Sequence, residues 1–167
     1  IDFLRPKKIS GDTTPLMDVF KYVIEKYSKK GLEYDEVWSL MPCSPLIDYI
    51  DLKKISSFYK KLNSKKPLLS ISRYGVPIQW AYKMGKKKII KQVNSNFHKI
   101  RSQDLTPYYF DAGQFVIFPI KFIKSANLIK NINTFVGYKL PPEKSIDIDL
   151  EEDWKLAEIT YKGLKIK

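Results

Sequence analysis

A chain of 167 residues holds one domain with room for a small excursion, and is too short for two full domains. Its apolar fraction of 44%, with three Trp, eleven Tyr and nine Phe, excludes disorder, and no run of eighteen apolar residues is present to cross a membrane. The net charge of +12 invites nucleic acid, yet the lysines knot only at Lys29-Lys30, Lys65-Lys66 and Lys86-Lys87-Lys88, without an aromatic-basic RNA motif. They read as a solvated surface that also attracts anionic ligands, and no nucleic-acid partner is expected.

In chain order, Asp12-Thr13-Thr14-Pro15 predicts a helix start, with Thr14 as the capping hydroxyl and Pro15 at the first helical position. Leu16, Val19, Phe20, Val23, Ile24 and Tyr27 follow at helical spacing, and Gly31 ends the element. Glu36 to Leu40 (EVWSL) is a short strand that runs into Met41-Pro42-Cys43-Ser44-Pro45, where two prolines force a loop. Asp48 to Leu62 returns to helical period through Ile50, Ile55, Phe58, Tyr59 and Leu62. Pro67 to Ser72 (PLLSIS) reads as a second strand.

From Gly75 to Phe110 the periodicity fails, and Lys86-Lys87-Lys88 reads as the tip of a hairpin in an excursion from the sheet. Ala112 to Phe118 and Thr134 to Leu140 are further strands. Asp149 is expected to open the last helix, in a capping box with Glu152, with Trp154, Leu156, Ala157 and Ile159 inward. Strand, loop, helix and strand in alternation argue for an α/β domain with a largely parallel sheet, whose ligands bind beyond the carboxyl ends of the strands. The MPCSP loop falls there.

No glycine pattern of a standard phosphate cradle occurs, and the lone His98 belongs to no hydrolytic triad, so it is expected to sit exposed in the excursion. The single Cys43 excludes an internal disulfide and fits a reducing, cytoplasmic compartment. If Ser145-Ile146-Asp147-Ile148-Asp149 is a strand, alternation puts Asp147 and Asp149 on one face. Two carboxylates there suit Mg²⁺, which takes one or two protein carboxylates plus substrate phosphates. The alternative is that Asp149 is only a helix cap and Asp147 a surface residue. A second polar group is Arg101-Ser102-Gln103-Asp104, followed by Asp111 and Gln114. Its amides and carboxylates suit a hydroxylated ligand and its Arg a carboxylate, although an ordinary polar loop has the same composition.

LRPKKISGDTT, EVWSLMPCSPL, PIQWA, RSQDLTPYYFDAGQF and SIDIDLEEDWKLAE occur in that order, and their succession resembles the acylneuraminate-type cytidylyltransferases. Pro77-Ile78-Gln79 together with SQDL and DAGQF is most similar to the pseudaminic acid branch. The resemblance covers essentially the whole chain. It implies a nucleotidyltransferase fold, a Rossmann-like α/β domain with a mixed, mainly parallel sheet flanked by helices. Residues 1–167 would be one domain, with 76–110 inserted as a protruding arm that makes a homodimer. The implied reaction joins CTP and a nine-carbon 2-keto sugar acid, giving a CMP-sugar for surface glycan or flagellin glycosylation and pyrophosphate, with Mg²⁺ as cofactor.

Carried over by position, Asp147 and Asp149 fall on the family's metal pair and, with Arg101, on its catalytic set. Arg5, Ser44 and Pro45 fall on the nucleotide side, and Gln79, Gln103, Asp104, Asp111 and Gln114 on the sugar side. Met41, Cys43, Trp80 and Val116-Ile117 depart from the branch's usual residues and bear on which sugar is taken. The family's strand and triphosphate loop would precede Ile1, so the chain is expected to lack that N-terminal segment. A catalytically inactive sugar-nucleotide-binding or dimerising fragment is the competing expectation in function, and an N-acetylneuraminate or legionaminate synthetase the competing one in substrate.

Overall fold

The computed structural model describes residues 2–62, 66–125 and 135–165, which fall into two compact units. The first comprises Ile1–Met41, Tyr49–Leu69 and Phe115–Gly137, and the second Pro42–Asp48, Ser70–Gln114 and Tyr138–Lys167. Among the described residues no helix is long and apolar enough to cross a membrane.

In the first unit helix α1 spans Leu16–Ser28 and buries Phe20 and Ile24, four residues apart on one face. Thr14 does not cap it. Pro15 holds the cap position with an extended backbone, so helical geometry starts one residue later than expected, and the Thr14 N–H instead closes a turn on the Gly11 carbonyl at 3.0 Å. The stop does follow Gly31, whose φ of +75° lets Gly31 and Leu32 N–H return to the Ser28 and Tyr27 carbonyls. Strand β1 is Glu36–Leu40. Helix α2, Tyr49–Lys61, buries Ile55 and Tyr59, while Ile50 and Leu62, expected on the same face, are exposed at its two ends.

Four strands form one sheet in the order β1-β5-β2-β6, with β2 at Leu68–Arg73, β5 at Tyr109–Pro119 and β6 at Val136–Lys139. β5 runs antiparallel to β1, with Glu36 opposite Pro119 and Leu40 opposite Phe115. It also runs against β2, since Tyr74 N–H meets the Tyr108 carbonyl while Gln114 N–H meets Ser70 Oγ. β6 follows β2 in parallel: Val136 N–H reaches the Pro67 carbonyl and Leu140 N–H the Ile71 carbonyl, both at 2.8 Å. The sheet is therefore mixed, with β1, β2 and β6 sharing one direction. Of the expected last strand, Val136–Lys139 is present and Thr134 lies outside the described residues.

A short helix α3, Ile120–Lys124, follows β5. The core of the first unit joins Phe20 and Ile24 of α1 to Val116, Phe118, Ile120 and Ile123, with Met17, Val37 and Phe122 packed around them. Phe118 is its centre, with ring centroids 5.8 Å from both Phe20 and Phe122 and 6.1 Å from Phe135.

In the second unit the excursion contains the hairpin of β3, Tyr82–Met84, and β4, Ile90–Gln92, with Tyr82 opposite Gln92. Lys86–Lys88 form its tip, and Lys87 and Lys88 adopt φ near +60° to reverse the chain. Trp80 is tied to this segment by Nε1–H donation to the Phe97 carbonyl at 3.2 Å, and His98 is exposed.

Helix α4, Glu151–Leu164, departs from expectation at its start and on its face. Leu150 holds the cap position, and the carboxylate reaching back is that of Asp153, which accepts from Leu150 N–H at 2.9 Å and Asp149 N–H at 3.2 Å. Neither Asp149 nor Glu152 caps the helix, because it begins one residue later than the capping-box reading placed it. Of the four residues expected inward only Ala157 is buried. Trp154, Ala157 and Tyr161 share one face by the helical period, which turns Leu156 and Ile159 away into solvent.

Candidate active site

The second unit holds every candidate site residue but Arg5, on the MPCSP loop, the 76–110 excursion, the amino-terminal half of β5 and the segment after β6. That last segment is not a strand. Ser145 N–H and Oγ both turn back to the Pro142 carbonyl, at 3.2 and 2.9 Å, which takes the backbone out of any ladder. Asp147 and Asp149 are therefore not aligned by strand alternation.

Gln114 is the tie. It is 1% exposed, and its Nε2 donates to the Ala112 carbonyl at 2.8 Å and to the Ile146 carbonyl at 3.0 Å. Its backbone carbonyl accepts from Ser44 Oγ at 3.0 Å, so one residue joins the proline loop, β5 and the segment bearing Asp147. Lys144 Nζ adds an ion pair to Asp48 at 3.2 Å, again between that segment and the loop.

Gly113, at φ +64°, lies directly beneath Asp147. A Cβ on this glycine would stand 2.5 Å from Asp147 Oδ2 and 2.6 Å from Cγ, so the carboxylate occupies the space a side chain would need. Gly113 N–H donates to Asp111 Oδ1 at 3.0 Å, which brings a further carboxylate to the same turn. The Asp147 carboxyl is raised above the usual carboxylate range, first by partial loss of hydration and then by the charges of Asp149, Asp111 and Asp153.

Such uncompensated negative charge is what a cation relieves. Asp153 accepts from two backbone N–H groups and Asp111 from Gly113, and Asp147 in turn accepts from the Ile148 backbone, so Asp147 with its neighbour Asp149 is the pair at which a cation would relieve the most charge. Among the described residues no group of three or more His, Cys, Asp or Glu is arranged to hold a metal. A pair fits Mg²⁺ that keeps waters and phosphate oxygens as its other ligands.

Gln103 lines a cleft of about 440 Å³ with Arg73, Tyr74, Ser102, Thr106 and Tyr108. Gln79 is bound to its wall, donating Nε2–H to the Thr106 carbonyl at 2.8 Å, while its Oε1 is buried without a hydrogen bond. Arg101 and Asp104 form a two-point ion pair, Nε to Oδ2 at 2.8 Å and Nη2 to Oδ1 at 3.3 Å, on an exposed turn. Pro45 faces a separate apolar pocket of about 280 Å³ with Ile148, Trp154, Ala157, Glu158 and Tyr161. Arg5 belongs to the first unit and is exposed. Sequence reasoning passed over Asp153 and Arg73, and met Gly113 only within the DAGQF motif, without a role of its own. Only Gly113 had a signal, a glycine inside an otherwise apolar strand.

A mixed sheet of parallel and antiparallel strands flanked by helices is the α/β architecture of a nucleotidyltransferase-like fold. No protein-family model matches the chain. Two curated relatives, both named pseudaminic acid cytidylyltransferase, come from Campylobacter jejuni of serotypes O:2 and O:23/36. They are 31% and 30% identical over 162 residues, covering 96% of this chain and 68% of each relative. The chain belongs to the pseudaminic acid cytidylyltransferase family and is a nucleotidyltransferase.

Proposed function

We propose that the chain acts as a cytidylyltransferase that converts CTP and pseudaminic acid to CMP-pseudaminic acid and pyrophosphate. The observation that carries this reading is the Asp147 carboxylate seated on Gly113, with Asp149 close enough to act on its charge. The relatives' name supplies the substrate. In the reaction the sugar's 2-hydroxyl oxygen bonds to the α-phosphorus, the bond from that phosphorus to the bridging oxygen breaks, and pyrophosphate leaves as the hydroxyl proton is released.

Held by Asp147 and Asp149, Mg²⁺ would supply charge neutralisation and a template for the phosphates. Asp149 is available for this because Asp153 serves the helix cap in its place. Ser44 and Pro45 border the nucleotide, and Arg5 keeps the nucleotide role the resemblance gives it. Gln103 presents its amide to the sugar from the 440 Å³ cleft, and Gln79 acts on the sugar side by holding the Thr106 backbone of that cleft's wall. Arg101 exchanges Asp104 for the sugar carboxylate, a small cost because both partners are exposed and such a pair is worth about 0–1 kcal/mol.

The test is pyrophosphate release from CTP by the purified protein. Release is expected only with Mg²⁺ and a nonulosonic acid both present, and faster with pseudaminic than with N-acetylneuraminic acid. The reverse preference would move the chain to another branch and leave the reaction class unchanged.

The arm of residues 76–110 is assigned to the homodimer. It leaves Tyr82, Met84, Ile89, Ile90 and Val93 each more than half exposed, an apolar surface that a second copy would cover. Light scattering should return a dimer at tens of micromolar, and a folded monomer there would remove the arm from this role.

A further inference from the structure

We propose that Gly113 and Gln114 are positioning residues for Asp147, the first giving its carboxylate room and the second fixing the backbone that carries it. The proposal rests on the metal reading for its consequence, though not for its geometry. An ordinary contact to a Cβ is 3.4–4 Å, so the 2.5 Å gap above Gly113 falls about an ångström short of what any other residue needs. The Asp side chain has only two torsions, and clearing a Cβ means swinging the carboxylate away by a comparable distance. Ligand sets tolerate roughly 0.5 Å of displacement, so the swing exceeds what a metal site accepts.

Gln114 works from the other side. Its Nε2 spans the Ala112 and Ile146 carbonyls, which pins the residue before Asp147 to the strand that carries Gly113. With 1% of its surface exposed and its amide hydrogens so engaged, Gln114 holds the site together from within and does not meet the sugar. That replaces the sugar-side role the resemblance gave it.

Two measurements on the chain test this, neither requiring turnover. The first is thermal unfolding without metal. Gly113→Ala is expected to lower the melting temperature by several degrees when Asp147 is present, and by clearly less in an Asp147→Gly background. Gly113→Asn, which tolerates the left-handed φ but still carries a Cβ, should show the same dependence if the Ala variant does not fold. The second is Mn²⁺ affinity, read from the electron paramagnetic resonance of free Mn²⁺. Gly113→Asn and Gln114→Leu should each weaken Mn²⁺ at least tenfold, approaching Asp147→Asn. Equal melting losses in both backgrounds, or Mn²⁺ affinity within twofold of wild type in both variants while Asp147→Asn is impaired, would overturn the proposal. If wild type and Asp147→Asn hold Mn²⁺ equally, the metal reading falls, and the melting comparison alone decides whether Gly113 places Asp147.

Discussion

Asp147→Asn is expected to lower turnover by about 10²–10³ while the protein stays folded, the size of loss typical when one charge-stabilising group is taken from a transition state. Asn keeps the shape and one oxygen ligand but removes the charge that draws the ion. Stability should hold or rise slightly at neutral pH, and the sign follows from the environment. Partial dehydration and the carboxylates of Asp149, Asp111 and Asp153 raise the Asp147 carboxyl above its unfolded value. The fold therefore favours the protonated form, and stability from this group is present at low pH and lost as pH rises through its folded pKa. A neutral Asn removes that loss. High Mg²⁺ or Mn²⁺ should restore part of the turnover.

Asp149→Asn separates the metal role from a capping role more sharply than sequence alone allowed. Asn and Asp cap helices equally well, so a cap would tolerate the change in both activity and stability. The structure gives the capping contacts to Asp153, and Asp149 contributes only its N–H. The expected result is an unchanged melting temperature with turnover reduced on the scale of Asp147→Asn. Near-normal pyrophosphate release would take Asp149 out of the metal site.

How far the sequence could be read depended on whether the deciding contact was local. Glu36–Leu40 and the Lys86–Lys88 tip were legible because a short apolar run before two prolines, and a polar knot between two short apolar runs, decide their own backbone. The start of α4 was not. Asp149, Glu152 and Asp153 are equally good capping carboxylates by type, and the one-residue difference in the first turn was settled by which one the backbone at Leu150 could meet. The inward face of α4 failed for a related reason, since Trp154, Leu156, Ala157 and Ile159 are all apolar and the 3.6-residue period cannot bury them together.

The site divides in the same way. Asp147 and Asp149 stood out by their spacing, although the strand invoked to align them does not exist. Gly113 and Gln114 act through a segment more than thirty residues further along the chain, and nothing local to DAGQF announces that partner. The motif showed a polar residue where the fold uses a buried one. A glutamine that satisfies two carbonyls and a glutamine that meets a ligand have the same sequence.

Phe118→Ala is expected to destabilise the protein by about 3–5 kcal/mol, a fifth or more of the roughly 5–15 kcal/mol that holds an ordinary domain together. The side chain is 5% exposed and stands opposite Val37 of β1, so its loss opens a cavity between strand and helices. Phe20, Phe122 and Phe135 each lose a ring partner, and such pairs contribute about 0.5–1.5 kcal/mol beyond the area they bury. Collapse into the space is restrained because Phe118 lies in β5, whose backbone is laddered to β1. Urea unfolding followed by circular dichroism reads the loss as a lower midpoint at unchanged slope. Phe118→Leu, which keeps most of the volume and forfeits only the rings, should cost clearly less. If the two variants were equally mild, Phe118 would be a peripheral residue and the core of the first unit would lie elsewhere.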